Sequence, residues 1–284
     1  MTIAAISREL HTSVEDELWA RTCIRAPYLA LESVAWTGGK FSAVAQSELP
    51  RSKYEPGPMR AAELFRHGAN AGLCALAMSQ ADSARRHYLV SEARYYGCYN
   101  RVKHGSAVLF VARPESLGTR AARSTIRASD LASGAPLMDL SVNYLVLTES
   151  TFERLYRDQF QPTEQGQPLS LPAAKRIALG IRELSQVSPS LCSGHFHGFP
   201  VLPVSSALWE LCDASSELLG KPNWVREASV QVRDLCWVGK PARFESTHSA
   251  ESAADDDLNS RFDCRALSGE RPFADVRLAL SALF

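Results

Sequence analysis

The stretch GHFHGFPVLP at residues 194–203 decides how the fold of this chain is interpreted. It places His195 before a turn rich in glycine and proline, and the apolar run ALWEL at residues 207–211 predicts a helix just after that turn. A helix that starts beside a turn directs its free backbone N–H groups into the space next to the imidazole. Such a site can bind a carbonyl oxygen and move a proton beside it.

The composition indicates a globular protein of one large domain or two smaller ones. The 284 residues are 45% hydrophobic and 22% charged. Basic and acidic residues both number 31, so the net charge predicts neither a nucleic-acid partner nor an anionic membrane surface. No apolar run approaches the ~20 residues of a membrane span, and residues 1–18 lack the apolar core of a signal peptide. We therefore expect a cytoplasmic protein.

The cysteines predict structural thiols rather than a metal site. Their number, seven, is odd, and no C-x-x-C pair occurs. Most lie among apolar neighbours, which is typical of reduced, buried thiols. We expect no metal ion.

Two halves of the chain repeat one plan. In each half a turn rich in proline precedes a helix with one glutamate: Glu63 lies seven residues after Pro56, and Glu210 lies seven after Pro203. The glutamates are 147 residues apart (210 − 63), which fits a repeat of about 140 residues with one insertion or deletion.

The order of the predicted elements indicates an α+β protein. Residues 59–80 are almost wholly apolar or small on every side, which predicts a central, covered helix. Short runs rich in β-branched and aromatic residues follow the helix in both halves and predict antiparallel strands. Residues 150–160 predict a linker helix, and the Gln/Pro/Gly-rich residues 161–167 predict the boundary between the halves. Residues 249–257 predict a solvated loop.

The pattern G-H-F-x-G-x-P-V-x-P resembles the active-site segment of the hotdog-fold 3-hydroxyacyl-carrier-protein dehydratases. The resemblance implies a tandem, or double, hotdog, in which each half is a central helix wrapped by an antiparallel sheet. The halves would be residues 1–160, with an N-terminal segment and the linker helix, and residues 168–284, with the G-H-F motif. It further implies a 3-hydroxyacyl thioester substrate on an acyl carrier protein or on CoA, in fatty-acid-like or polyketide biosynthesis. No cofactor is implied beyond the phosphopantetheine or CoA that carries the substrate.

The resemblance also implies a division of catalytic roles. Loss of water from a 3-hydroxyacyl thioester needs a base for the C2 proton and an acid for the departing hydroxyl. His195 from the second half would then face Glu63 from the central helix of the first, and apolar surroundings would raise the pKa of Glu63. Backbone N–H groups near Val204 would polarise the thioester carbonyl. The other residues expected to bind substrate or line the site are Gly198, His197, Arg66 and His67.

The motif departs from the family pattern in several places. His197 stands where the family usually has proline, and Val204 where it usually has glycine. The glutamate lies one residue further from the turn than is typical, and one residue turns a helix by ~100°. The first half has no histidine at residues 47–54, so at most one of the two sites can act as a dehydratase. Glu210 would face the half without the histidine, where a structural hydrogen bond is expected.

Two other functions remain open from the sequence. A hotdog thioesterase could use Glu63 as base or nucleophile, with His195 as a bystander. An acyl-transfer or acyl-binding module of the gamma-butyrolactone-synthesis type is similar to tandem hotdogs and carries an E-x-x-R pattern like that of Glu63 and Arg66. In each case a double hotdog can stand as a monomeric pseudo-dimer or form a homodimer.

Overall fold

The computed structural model describes most of the chain: Val14, Glu17, Leu18, Ser170 and residues 20–48, 50–161, 172–196, 198–249 and 259–283. The expected boundary at residues 161–167 and the expected loop at residues 249–257 fall outside this part, except for Gln161 and Ser249. The division into residues 1–160 and 168–284 therefore stays a prediction.

The helices and strands alternate in two similar sets. The helices are α1 (Ala61–Ser79), α2 (Glu149–Leu155) and α3 (Val204–Leu219), with short 3-10 turns at Arg157–Gln159 and Pro189–Cys192. The strands are β1 (Glu32–Thr37), β2 (Lys40–Ala45), β3 (Arg86–Gly97), β4 (Val108–Leu117), β5 (Ala121–Asp130), β6 (Pro136–Thr148), β7 (Lys175–Ala178), β8 (Ile181–Leu184), β9 (Asn223–Val232), β10 (Ala242–His248), β11 (Asn259–Ser268) and β12 (Arg271–Ala282).

These strands form one antiparallel sheet with an internal symmetry. Their order is β1-β2-β4-β5-β6-β3-β9-β12-β11-β10-β8-β7, so the second half reverses the order of the first. β3 and β9 join the halves, with Glu92 opposite Gln231 and Tyr96 opposite Glu227. Each half contributes two strands, a central helix and four strands. The predicted α+β double hotdog is therefore confirmed.

α1 is the covered helix that the sequence predicted for residues 59–80. It begins at Ala61, because Arg60 is still extended, and its residues Ala61–Ala77 are all buried. Gly72 lets the helix approach the sheet closely, since a Cβ atom there would lie 2.3 Å from the Ser124 hydroxyl oxygen. α1 packs on β4 and β5 and also contacts α3.

Two further expectations concern the cysteines and the membrane. All seven cysteines are free and six of them are buried, as predicted. Among the described helices, none is long and apolar enough to cross a membrane.

Candidate active site

An apolar cavity lies where the two halves meet. The volume of the cavity is about 60 Å³. We call it the His195 cavity; it is lined by α1, the start of β3, the segment after β9 and the turn before α3. Its lining includes Tyr28, Asn70, His195, Phe196, Val204 and Asp234.

His195 lies in this cavity as a neutral imidazole with one nitrogen available. Its Nδ1 is 3.0 Å from the carbonyl oxygen of Val201. A carbonyl can only accept, so Nδ1 carries the proton and Nε2 keeps its lone pair. Burial lowers the pKa of His195 to about 4, against a smaller opposing effect of the bond to Val201. The imidazole is therefore uncharged, and able to accept a proton, at neutral pH.

The turn that carries His195 is held by a segment near the N-terminus. The N–H of Arg25 donates to the carbonyl of Gly194 at 2.8 Å. Gly194 has a φ of +78°, and a Cβ atom on it would lie 2.3 Å from the carbonyl oxygen of Arg25. Only glycine fits this close approach without a shift of the backbone. The close approach of the two backbones therefore explains why the first residue of the motif is glycine.

The start of α3 offers backbone donors to the same cavity. Pro203 precedes the helix and supplies no side-chain cap. The N–H groups of Val204 and Ser205 lie in the first turn and have no carbonyl acceptor within the helix. Val204 lines the cavity. This end of α3 can therefore stabilise negative charge on a bound oxygen.

α1 contributes an amide to the cavity. Asn70 is 1% exposed, and its Nδ2 donates to the carbonyl oxygen of Tyr28 at 3.0 Å. The Tyr28 hydroxyl lies 3.5 Å from the Ser205 hydroxyl, and its ring centroid lies 4.6 Å from that of His195. Neither Asn70 nor Tyr28 was predicted from the sequence. The only signal for Asn70 was its position seven residues, or two turns, after Glu63 on the same helix.

Glu63 lies outside the His195 cavity. It is buried beneath the segment before α1, where it accepts from the Ser47 hydroxyl at 2.8 Å and from the N–H of Glu48 at 2.7 Å. Burial raises the pKa of Glu63, but contact with His67 and these hydrogen bonds outweigh that effect, and the net pKa is lowered. The expected raised pKa was wrong, because this carboxylate has hydrogen-bond donors that an apolar helix sequence does not reveal.

Arg66 and His67 belong to the same buried network rather than to the lining of the His195 cavity. The Arg66 guanidinium pairs with Glu48 and lies 3.1 Å from Nε2 of His67. The ligand atoms of Glu48, Glu63 and His67 lie within 4.8 Å of one another, as a cation site requires. However, Arg66 already places a positive charge on Glu48 and His67, which opposes a metal ion there.

Gly198 is the remaining predicted residue that the structure describes. Gly198 has a φ of +79°, and a Cβ atom on it would meet the Phe160 ring at 2.7 Å, so this glycine packs the turn against the segment after α2. His197 lies outside the described residues.

The symmetry-related site at the start of α1 is closed by the protein's own side chains. The N–H of Ala61 donates to the Glu55 carboxylate at 2.9 Å, so the helix start is already capped. Arg60 pairs with Glu55 and with Asp213, and its guanidinium lies 3.4 Å from the centroid of the Trp209 ring. We call these four residues, Glu55, Arg60, Trp209 and Asp213, the closed site. Only the His195 side of the described structure offers an uncapped helix start.

Glu210 is not the counterpart of Glu63. Counted from the first helical residue, Glu63 is third in α1 and Glu210 is seventh in α3. Glu210 accepts from the N–H of Ala174 at 3.2 Å and from Arg182 at 3.1 Å. Burial raises its pKa to about 7 despite these bonds. The contacts agree with the structural hydrogen bond expected from the sequence.

Comparison with solved structures identifies the same architecture in other proteins. No protein-family model and no curated protein matches the sequence. A putative oleoyl thioesterase from Lactobacillus plantarum superposes with a TM-score of 0.61 at 11% identity, over 86% of this chain and 95% of that one. A putative thioesterase II from Thermobifida fusca gives 0.57 at 11%, over 92% and 100%. The 12:0-ACP thioesterase from Umbellularia californica gives 0.56 at 12%, over 86% and 94%. At such identities the similarity establishes a shared fold, the double hotdog.

Proposed function

We propose that the protein hydrolyses acyl thioesters in the His195 cavity. The observation that carries the proposal is a neutral imidazole with a free Nε2 beside an uncapped helix start, inside an apolar cavity. A general base and an oxyanion-binding group are the two elements that thioester hydrolysis requires. The thioesterases with the same fold support this choice.

The proposed reaction uses His195 as the base and the start of α3 as the oxyanion-binding group. His195 Nε2 takes a proton from water, and the water oxygen forms a bond to the thioester carbonyl carbon. The N–H groups of Val204 and Ser205 stabilise the oxyanion that develops. As the tetrahedral intermediate collapses, the C–S bond breaks and the imidazolium returns its proton to the thiolate. The products are a carboxylic acid and a free thiol, and the base is restored.

The polar group that α1 presents favours hydrolysis over dehydration. Asn70 is an amide and cannot protonate a departing hydroxyl, whereas it can orient water or the substrate carbonyl. Asp234 is the carboxyl group that lines the cavity; it is exposed at the mouth and accepts from the N–H of Leu235. Hydrolysis needs one group to move the proton, and His195 suffices.

Dehydration of a 3-hydroxyacyl thioester is the second candidate. It is favoured by the motif at residues 194–203, whose histidine lies beside a helix start as that chemistry requires. In this case Asp234 would have to act as the acid in place of Glu63, which lies outside the cavity. Both reactions use a thioester of CoA or of an acyl carrier protein, and the chain would act as a monomeric pseudo-dimer or as a homodimer.

One assay separates the two candidates. The purified protein and the variant His195→Gln are incubated with matched acyl and 3-hydroxyacyl thioesters, on CoA and on an acyl carrier protein, and products are identified by intact mass spectrometry. We expect free thiol from both acyl types with the wild-type protein and none above background with the variant. Loss of one water without free thiol would replace hydrolysis by dehydration. Unchanged masses throughout would overturn both.

A further inference from the structure

A second aromatic side chain contacts His195 and is held from outside the cavity. The ring centroids of His195 and Phe196 lie 4.1 Å apart with an interplanar angle of 23°, so the rings are stacked. Tyr28 contacts the same imidazole at 4.6 Å. In the proposed reaction this imidazole becomes a cation, and a cation near the face of an aromatic ring is stabilised by the ring's quadrupole.

Besides His195, the ring of Phe196 contacts a cluster of aromatic side chains that holds it in place. Its ring makes edge contacts with His87 at 5.3 Å and with Phe152 of α2 at 5.5 Å. His87 and Phe152 are themselves stacked, 3.8 Å apart with an interplanar angle of 7°. The backbone of Phe196 has a φ of +52°, a conformation that a bulky residue rarely adopts unless its surroundings impose it. The position of this ring is therefore held by β3, through His87, and by the linker helix α2, through Phe152.

We propose that Phe196 is a positioning residue that orients the His195 imidazole and stabilises its protonated form during the reaction. The proposal rests on the proposed role of His195 as the base. It adds a connection from the linker helix α2, through Phe152 and Phe196, to the reacting group. It also explains why the residue after the histidine is aromatic, since an aliphatic side chain has no π face to stabilise the imidazolium.

The other ionisable groups around His195 do not supply this stabilisation. Burial raises the pKa of the surrounding phenols and thiol, so these groups are neutral, and burial lowers the pKa of His87 to about 3, so that imidazole is neutral too. Asp234, at the exposed mouth, is the carboxylate of the lining. The groups considered are Tyr28, Tyr88, Tyr144, Cys236, His87 and Asp234. The Val201 carbonyl, which accepts from Nδ1, also favours the imidazolium, and Phe196 is the closer of the two aromatic rings that contact His195.

The test compares two phenylalanines of the same turn. Phe196→Leu keeps an apolar side chain and removes the π face. Phe199→Leu is the matched control, because Phe199 is equally buried, at 4% exposure, and its ring contacts are with His87, Phe152 and Phe160. Initial rates are measured with an acyl-CoA at neutral pH, and across the acidic limb after a rapid change of pH, so that unfolding does not interfere.

For Phe196→Leu we expect kcat to fall by about threefold with KM unchanged, and the acidic limb to move about 0.5 pH units lower, since the charged imidazole loses a favourable contact. Phe199→Leu should change the thermal stability but should leave the acidic limb of the pH–rate profile in place. Superimposable limbs for wild type and Phe196→Leu, or equal displacement in both variants, would overturn the proposal. If Phe196→Leu does not fold, Phe196→Met replaces it, since methionine fills irregular space more readily. An inactive wild type would instead reject the proposed function.

Discussion

Asn70 and Asp213 occupy the same position in the two central helices and have opposite environments. Each is the tenth residue of its helix, α1 or α3. Asn70 lines the open His195 cavity, whereas Asp213 pairs with Arg60 in the closed site. An amide leaves the cavity free for a ligand, while a carboxylate at the equivalent place binds an internal cation. The two halves therefore share a fold, but within the described residues only α1 presents this position to an open cavity.

Replacement of Asn70 should lower turnover more than binding. Asn70→Asp places a carboxylate against the Tyr28 carbonyl and a negative charge near the developing oxyanion, so both changes oppose the reaction. We expect kcat to fall by about 10²-fold with KM within a few-fold. Steady-state kinetics on an acyl-CoA give both constants. Asn143→Asp, at an amide on the sheet that bonds Glu92, is the control. An Asn70→Asp enzyme with wild-type kcat would remove Asn70 from the site.

The closed site should contribute stability and not activity. Arg60 is 5% exposed and bridges two carboxylates, so Arg60→Met leaves Glu55 without its cation and leaves Asp213 with Arg182 alone, at 3.4 Å. We expect a loss of about 3–5 kcal/mol in the free energy of unfolding in urea, with kcat of the folded enzyme unchanged. A cycle with Asp213→Asn measures the coupling between the two side chains. Additive effects would mean that the ion pair itself contributes nothing.

The sequence predicted the architecture because hydrophobic pattern and element order decide it. The mostly apolar helix at Ala61–Ser79 is expected to be central, and the G-H-F motif predicted His195 before the start of a helix, where the structure has it. The acid partner was not predictable in the same way. Glu63 falls in the first turn of α1, where its direction depends on the residue at which the helix begins, and the sequence left that start uncertain by two residues.

The alignment of the two halves failed for a related reason. The prolines used to match them have different distances to their helices: Pro56 lies five residues before Ala61, and Pro203 directly precedes Val204. Because of this difference of four residues, about one helical turn, the prolines aligned Glu63 incorrectly with Glu210. In the structure Asn70 is instead equivalent to Asp213, because each is the tenth residue of its helix. Nothing in the local sequence of either residue indicates which of the two will line a cavity.

A substitution of Glu63 tests directly whether this carboxylate is structural rather than catalytic. Glu63→Gln keeps the shape of the side chain but replaces one acceptor oxygen by a donor, which then faces the Ser47 hydroxyl or the N–H of Glu48. We expect a loss of about 1–3 kcal/mol in stability and a kcat within threefold of wild type. Urea unfolding and steady-state kinetics measure the two effects. A loss of turnover comparable to that of His195→Gln, in a folded variant, would restore Glu63 to the catalytic site.

His87 should make the protein sensitive to mild acid. Burial, with smaller contributions from His195 and Arg85, lowers its pKa to about 3, from 6.5 in the unfolded chain. Because the folded pKa is the lower one, the unfolded state binds more protons below pH 6.5, and stability is lost as the pH falls from there towards 3. At pH 5 this single group costs ~2 kcal/mol of the free energy of unfolding.

His87→Phe keeps a ring against Phe152 and removes the ionisation. Its stability relative to wild type should therefore rise by ~2 kcal/mol between pH 7.5 and pH 5, whatever the offset at pH 7.5. His67 and His195, whose pKa values are also lowered by burial, act in the same direction in both proteins, and Glu210, with its raised pKa, acts in the opposite one, so these contributions cancel in the comparison. Urea unfolding at the two pH values measures the difference, with His104→Gln as an exposed control. Parallel pH dependence in wild type and His87→Phe would show that His87 ionises as freely in the folded protein as in the unfolded chain.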